Sequence, residues 1–319
     1  MSEHFIKNIE IKNFKCFEDF KAEGFGRVNL IGGKNNVGKT AFMEACYLGE
    51  NAKTQEERLF FHALLVIELN RRPLEEFKII ENSNNFEFKY EDSLIKINNI
   101  NCSVDEFDDK LYSVPDKNYK IGIRRITDFY QGDNKPLNIQ NHSFISQISI
   151  RDNYLKDSID EIKFLKKWKE LNGFLLDNFH IEEIDVIKNR IFLFQNDNHI
   201  LLSEFGDGIK QFIAIILSLY LNKDSVIFLD EIENGIHYSL LDNLWEIILT
   251  ISEQQKVQIF ATTHSKECIE SYMRVAKKLE DKDITYSVLT KLKSGELLHS
   301  LYDYELLETA IVEQEHEVR

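Results

Sequence analysis

The chain has 319 residues, of which 43% are hydrophobic and 12% aromatic, with only 13 glycines and 3 prolines. This composition excludes a disordered or low-complexity protein. The net charge of -15 opposes tight, sequence-independent binding to nucleic acids, which are themselves anionic. The 4 cysteines form no CxxC pair and the first residues show no export signal, so we expect a soluble, cytoplasmic protein with reduced thiols.

One group of lysines departs from this acidic balance. It comprises Lys163, Lys166, Lys167 and Lys169. These side chains could face DNA or RNA, but their helical spacing favours a solvated helix face.

The first predicted elements are a strand, a glycine loop and a helix. Residues 5–12 alternate polar and apolar side chains as a strand does, and the apolar run 28–31 predicts a second, buried strand. A glycine-rich loop follows, and residues 41–50 have a helical pattern. This order is the one in which phosphate-binding loops occur.

The glycine-rich loop fits the phosphate-loop pattern at every fixed position. Its glycines allow backbone N–H groups to curl around phosphates, while Lys39 is placed to reach the β and γ phosphates and Thr40 to bind magnesium. The predicted nucleotide-binding residues of this segment are Gly33, Asn35, Asn36, Val37, Gly38, Lys39, Thr40 and Ala41. The alternative, a chance glycine turn before Lys-Thr, is disfavoured by the flanking strand and helix.

The middle of the chain has a different pattern. Residues 58–70 predict an amphipathic helix, and residues 75–150 carry short strand-like pieces such as FEFKY and KIGIRR between turns, which indicates an inserted antiparallel lobe. Residues 155–178 show an apolar stripe at near-helical spacing, which predicts one long surface helix.

The last third alternates strands and helices. A hairpin at 191–202, a glycine-containing turn at 205–208 and an apolar helix at 210–220 come first. The strand SVIFLD, the helix YSLLDNLWEIILTI, the strand VQIFATTHS, a helix from Lys266 and the strand ITYSVLTKL follow. Buried strands separated by helices indicate a parallel sheet with helices on its faces.

The strand VIFL ends in two carboxylates, Asp230 and Glu231. Parallel strands deliver the residues that follow them to one edge of the sheet, where sites form. Asp230 is predicted to belong to the coordination shell of the magnesium ion, and Glu231 is predicted to orient or deprotonate the attacking water. An acidic surface turn is the alternative, which the phosphate loop in the same chain disfavours.

The strand VQIFATTHS ends in Thr262, Thr263, His264 and Ser265. We expect His264 to lie beside the nucleotide, where a neutral imidazole can hydrogen-bond the γ-phosphate or the water. A surface or helix-cap histidine is the alternative. His237 is a weaker candidate, for which a structural role is favoured.

Five segments in a fixed order carry a family resemblance: IKNFKCF, GGKNNVGKT, SEFGDGIKQ, VIFLDEIENGIH and ATTHS. Together they resemble the ABC/SMC-like P-loop ATPases of the RecF, SMC and OLD group, and above all the stand-alone bacterial AAA-domain (ABC-like) ATPases. The resemblance implies an α/β head with a mixed central sheet, an antiparallel β-subdomain and an inserted α/β lobe. The core would comprise residues 1–50 and 186–319, and the lobe residues 51–185, which match nothing recognisable.

The resemblance also implies ATP and Mg²⁺ as cofactors and a homodimer that closes around ATP. The signature segment would be Gly206, Asp207 and Gly208, facing the phosphate loop of the other copy. It lacks the serine that is usual there, and a glycine turn that caps the following helix is the alternative. Gln147 is a candidate for the glutamine at the boundary of the lobe.

Three functions remain open from the sequence. The first is an ATP-hydrolysing switch that controls a partner effector, such as a nuclease in phage defence. The second is a DNA-binding repair or recombination clamp, which the net charge disfavours. The third is a non-hydrolysing nucleotide-sensing scaffold, which the pair Asp230-Glu231 disfavours. An ABC transporter subunit is less favoured still, because the signature is aberrant.

Overall fold

The structure is a computed structural model, and it describes residues 5–52, 86–90, 93–97, 103–105, 111–113, 120–122, 144–145 and 152–312. The predicted helix 58–70 and the candidate Gln147 lie outside these residues. Within them, no helix combines the length and the apolar character needed to cross a membrane.

The elements alternate along the chain much as the sequence predicts. The strands are β1 Asn8–Phe14, β2 Phe17–Glu23, β3 Val28–Gly32, β4 Phe86–Tyr90, β5 Ser93–Ile97, β6 Ser103–Asp105, β7 Leu111–Ser113, β8 Lys120–Gly122, β9 Phe144–Ile145, β10 Glu183–Ile187, β11 Arg190–Gln195, β12 Asn198–Leu201, β13 Val226–Leu229, β14 Gln258–Thr262, β15 Ile284–Lys291 and β16 Leu297–Asp303. The helices are α1 Lys39–Ala52, α2 Asp152–Phe164, α3 Trp168–Phe179, α4 Asp207–Leu221, α5 Leu241–Gln255, α6 Lys266–Lys278 and α7 Tyr304–Val312. Short 3₁₀ turns cover Leu202–Glu204 and Tyr238–Leu240.

A six-stranded mixed sheet in the order β16-β15-β3-β14-β13-β9 forms the centre of the protein. Its neighbours pair in parallel except β15 and β16, which are antiparallel. The interior strands β3, β13 and β14 are buried along their whole length, as expected for strands that are covered on both faces. Because these three strands run in parallel, the loops that follow them meet at one edge of the sheet.

The central sheet separates two hydrophobic cores. Along β13, Ile227 and Leu229 belong to the larger core, whereas Val226 and Phe228 belong to the smaller one, because successive side chains of a strand point to opposite faces. Helices α2 to α7 contribute to the larger core. Helix α1 and strands β1 and β2 contribute to the smaller one. The prediction of a sheet with elements on both faces is confirmed.

Antiparallel strands form separate, smaller sheets. One has the order β2-β1-β4-β5 and contains the predicted strand FEFKY as β4, so the antiparallel β-subdomain is confirmed. The others are β6-β7-β8 and the meander β10-β11-β12. Strand β9 and helices α2 and α3 fall within the predicted lobe 51–185, yet they join the central sheet and the larger core. The division into domains stays a prediction.

The segment 155–178 forms two helices, so the prediction of one long surface helix is wrong. Helix α2 ends at Phe164 and α3 begins at Trp168. Lys166 between them has a φ of 59°, a left-handed conformation that ends a helix, and local backbone hydrogen bonds close the turn. The apolar stripe lies in or against the larger core, except Leu165, which is exposed beside the break.

Candidate active site

The phosphate loop joins the end of β3 to the start of α1, and glycine is required at two of its positions. Gly33 has a φ of 134° and a side chain there would meet the carbonyl oxygen of Leu289 at 2.6 Å. Gly38 has a φ of 99° and a side chain there would meet the sulfur of Cys16 at 2.6 Å. Both positions combine a left-handed backbone with a close approach, which only glycine tolerates without strain.

Lys39 is buried, and its ammonium group lies inside the loop. It donates hydrogen bonds to the carbonyl oxygens of Gly33 at 2.8 Å and Lys34 at 3.0 Å. Its Nζ also lies 3.1 Å from Nδ1 of His264. Burial lowers the pKa of Lys39, and the nearby carboxylates, led by Asp230, oppose this effect. The loop therefore holds one cation at the place where a phosphate group would enter.

Asp230 follows β13 and lies between two threonine hydroxyls. Thr262 donates to its Oδ1 at 2.7 Å, and Thr40 donates to its Oδ2 at 3.1 Å. Burial raises the pKa of Asp230, and the hydrogen bonds from Thr262 and Thr40 oppose the rise. The two hydroxyl groups thus hold the Asp230 carboxylate in a position where it is largely shielded from water.

Thr40 and Asp230 fit a magnesium ion that is bound mainly through the nucleotide. Hydroxyl and carboxylate oxygens are the hard ligands that Mg²⁺ prefers, and these two groups already lie within 3.3 Å of each other. Across the described ranges, no cluster of three or more His, Cys, Asp or Glu side chains could hold a metal by itself. Phosphate oxygens and water would complete such a shell, as is common for Mg²⁺.

Glu231 is fixed from three sides at the mouth of the site. Its backbone N–H donates to Oγ1 of Thr262 at 2.8 Å, and its Oε2 accepts from the side-chain amide of Asn234 at 3.2 Å. Its Oε1 lies 3.3 Å from Nε2 of His264. Glu231 has a φ of 51°, which is uncommon for a residue other than glycine and is typical of functional turns. The carboxylate is half-exposed and can accept a proton from water.

His264 bridges the cation and this carboxylate. An ammonium group only donates, so Nδ1 accepts from Lys39 and we assign the proton of a neutral imidazole to Nε2. Nε2 lies 3.3 Å from Oε1 of Glu231. The ring therefore lies between the ammonium group of Lys39 and the carboxylate of Glu231.

The signature segment opens helix α4. Gly206 is the N-cap residue of the helix, is exposed and has open space around it. Gly208 packs on the loop after β13: a side chain there would lie 1.9 Å from the carbonyl oxygen of Gly235. The segment is therefore in contact with the loop that carries Glu231.

Residues 28–270 match the family described as "AAA domain, putative AbiEii toxin, Type IV TA system", which is well over half of the chain. The chain belongs to this AAA-domain family. A relative named "ATP/GTP phosphatase" from Helicobacter pylori is 26% identical over 350 residues, covering 90% of this chain and 91% of the relative. Structural maintenance of chromosomes protein 6 from Saccharomyces cerevisiae is 40% identical over 52 residues, covering 16% of this chain and 5% of that protein.

Among solved structures, the fold is similar to an SMC head that was crystallised with the C-terminal winged-helix domain of ScpA. The TM-score is 0.51 at 12% identity, and the match covers 94% of this chain and 99% of that one. This AAA-domain protein is thus an ABC/SMC-like P-loop ATPase, and the predicted fold class is confirmed.

The predicted site residues of the AAA-domain protein fall into two groups. Lys39, Thr40, Asp230, Glu231 and His264 are brought together by direct contacts. The others have more peripheral places: Asn35 and Asn36 are exposed in the loop, Val37 and Ala41 are buried in the smaller core, and Gly206, Asp207 and Gly208 begin α4. The roles of all these residues stay predictions.

Three residues at the site were absent from the predicted set: Thr262, Glu233 and Asn234. Thr262 had a signal in the sequence, because it is a polar residue at the end of an otherwise apolar strand. Glu233 and Asn234 lie in the segment VIFLDEIENGIH, but no local pattern predicts their contacts, which depend on how the turn after β13 folds back. His237, for which a structural role was favoured, makes local hydrogen bonds to Ser239.

Proposed function

We propose that this AAA-domain ATPase is a magnesium-dependent nucleotide switch that forms a closed homodimer around ATP, opens on hydrolysis and controls a separate effector protein. The observation that carries the proposal is the continuous path of contacts from Lys39 through His264 to Glu231. This path connects the residue to which we assign phosphate binding, Lys39, with the residue to which we assign water activation, Glu231.

The first step is binding of the nucleotide. Lys39 exchanges its hydrogen bonds to the loop carbonyls for bonds to the β and γ phosphates, while the loop N–H groups and the start of α1 favour the negative charge. Thr40 and Asp230 would hold Mg²⁺, which supplies positive charge against the phosphate oxygens when bound. The buried position of Asp230 strengthens these interactions, because the effective dielectric constant is lower away from water.

The second step is hydrolysis. Glu231 orients a water molecule and accepts its proton as the water attacks the γ-phosphorus, while the bond from the γ-phosphorus to the bridging oxygen breaks and ADP leaves. His264 lies between Lys39 and Glu231, and when Lys39 moves to the phosphates, Nδ1 of His264 loses its hydrogen-bond donor. The imidazole is then available to contact the γ-phosphate or its water. The histidine therefore responds to whether phosphate is present.

The third step is dimer closure. Gly206 and Asp207 are exposed at the N-terminus of α4, and such a terminus favours an anion. We infer that this segment receives the γ-phosphate of the partner copy. Its contact with Gly235 would carry the closure to the loop that holds Glu231.

The family description reads "putative AbiEii toxin, Type IV TA system", which associates the family with toxin–antitoxin systems. We propose that the switch acts in the cytoplasm on a protein partner, such as a nuclease in phage defence. The net charge of -15 favours a protein partner over a nucleic acid.

The test is nucleotide hydrolysis together with molar mass in solution, with and without Mg²⁺. ATP and GTP are both assayed, for the wild type, Lys39→Ala and the matched control Lys34→Ala, whose side chain is exposed in the same loop. We expect Mg²⁺-dependent hydrolysis and nucleotide-dependent doubling of the mass in the wild type and the control only. Hydrolysis without a change in mass would contradict the dimer switch, and ATP-dependent retention of duplex DNA at low salt would favour a clamp instead.

A further inference from the structure

We propose that Glu233 is a positioning residue of the hydrolytic site: its carboxylate holds the backbone of His264, so that the imidazole stays between Lys39 and Glu231. The inference rests on the proposed hydrolytic function and gives a role to a residue outside the predicted set of site residues.

The bond that carries the inference joins two strand ends. Glu233 lies in the turn after β13, and its Oε1 accepts a hydrogen bond of 2.7 Å from the backbone N–H of His264, just after β14. The same strand ends are joined by Thr262, which contacts Asp230 and Glu231. Thr262 thus fixes the two carboxylates, and Glu233 fixes the histidine.

The carboxylate of Glu233 is costly where it lies. Its Oε2 is buried and has no hydrogen-bond partner in the part of the chain that the structure describes. An unpaired oxygen that is shielded from water lowers stability, although Glu233 as a whole is only partly buried. Such a cost next to a site is typical of residues that serve the site.

The charge of Glu233 also acts at the phosphate loop. It is one of the three carboxylates that raise the pKa of Lys39 against the effect of burial. The negative charge of Glu233 therefore lies close enough to the phosphate loop to act on Lys39, which agrees with its place beside His264.

A simple helix-capping role does not account for Glu233. Helix α6 begins at Lys266, and its N-cap is Ser265, whose Oγ accepts from the backbone N–H of Cys268 at 3.1 Å. That cap is complete without Glu233. The glutamate instead binds the residue before the cap, which is His264.

The test combines a structural readout with kinetics in the full chain. Glu233→Ala removes the acceptor, Glu233→Gln keeps an oxygen that can accept the same N–H, and Glu267→Gln is the matched control on the first turn of α6. The tautomer of His264 is read without nucleotide from imidazole ¹⁵N shifts, assigned with His264→Asn. The kcat and KM for ATP are then measured for each variant, for His264→Ala and for Glu233→Ala/His264→Ala.

We expect Glu233→Ala to lower kcat by about 10- to 100-fold with KM changed less than about 2-fold, because a small misplacement of a catalytic group costs rate. Its imidazole should populate both tautomers. Glu233→Gln should keep the wild-type tautomer and kcat within about 3-fold. The double variant should match His264→Ala alone, since residues that act through one another are not additive.

A wild-type kcat and a wild-type His264 tautomer in Glu233→Ala would overturn the inference. Equal decreases in kcat in the alanine and glutamine variants would also overturn it, as would additive decreases in kcat in the double variant. If Glu233→Ala does not fold, Glu233→Asp replaces it, because a side chain shorter by one methylene group cannot keep the 2.7 Å bond without moving the loop. A wild type that hydrolyses no nucleotide would defeat the proposed function, whereas the tautomer measurement would still decide whether Glu233 positions His264.

Discussion

Thr262 donates a hydrogen bond to Asp230 over 2.7 Å and joins the ends of two neighbouring parallel strands, β14 and β13. The same hydroxyl accepts the backbone N–H of Glu231. One side chain therefore sets the positions of both carboxylates to which we assign metal binding and water activation.

The Thr262 hydroxyl should matter for activity more than for folding. Thr262→Val keeps the shape but removes the donor that opposes the raised pKa of Asp230, so we expect at least a 10-fold lower kcat and a higher Mg²⁺ requirement. Thr285→Val is the matched control, because its buried hydroxyl bonds Asn29 instead. Both variants should lose about 1 kcal/mol in urea unfolding. Equal loss of activity in both would contradict the role of Thr262.

The contact between Gly208 and Gly235 gives a prediction about the signature segment. Gly208→Ala places a methyl group 1.9 Å from the Gly235 carbonyl oxygen, which should cost about 1–3 kcal/mol in stability as the two loops separate. Gly206→Ala, where nothing lies within 4 Å, should lower the unfolding free energy by less than about 1 kcal/mol, because alanine is a poorer N-cap residue than glycine. If Gly206→Ala loses nucleotide-dependent dimerisation, the cause would then be a lost contact with the partner copy and not a defect in folding. Equal stability of the two variants in chemical denaturation would refute the contact.

His299 should make the fold sensitive to mild acid. Its Nε2 lies 2.9 Å from Oγ of Ser287, and burial lowers its pKa from 6.5 to about 4. Between pH 6.5 and about pH 4, His299 binds a proton in the unfolded chain but not in the folded chain. The free energy of unfolding therefore falls as the pH falls through this window. The loss is about 1–2 kcal/mol after allowance for partial exposure.

The measurement for His299 is urea unfolding at pH 7.5 and pH 4.5. The difference in unfolding free energy between the two pH values should be smaller in His299→Gln than in the wild type. His199→Gln, at an exposed position, serves as the control and should behave as the wild type does. A wild-type pH dependence in His299→Gln would contradict this assignment.

The fold, and the residues that meet at the candidate site, could be predicted because both have local signals in the sequence; the roles of these residues stay predictions. Apolar strands followed by polar residues marked β3, β13 and β14, and the glycines of the phosphate loop marked backbone that only glycine adopts. The break at Lys166 had no such signal, since neither glycine nor proline occurs there and a lysine adopts the left-handed conformation. The contacts of Glu233 with His264 and of Gly208 with Gly235 depend on tertiary packing, which a residue pattern does not encode.

The central claim is that Glu231 activates water in a site that binds nucleotide without it. Its most direct test is hydrolysis and retention of radiolabelled ATP by Glu231→Gln, with Glu246→Gln on α5 as the control. We expect hydrolysis to fall at least about 100-fold while ATP stays bound and the protein accumulates as a dimer. Hydrolysis by Glu231→Gln at the wild-type rate would contradict the account, because the contacts of Glu231 with Asn234, Thr262 and His264 would then serve no catalytic purpose.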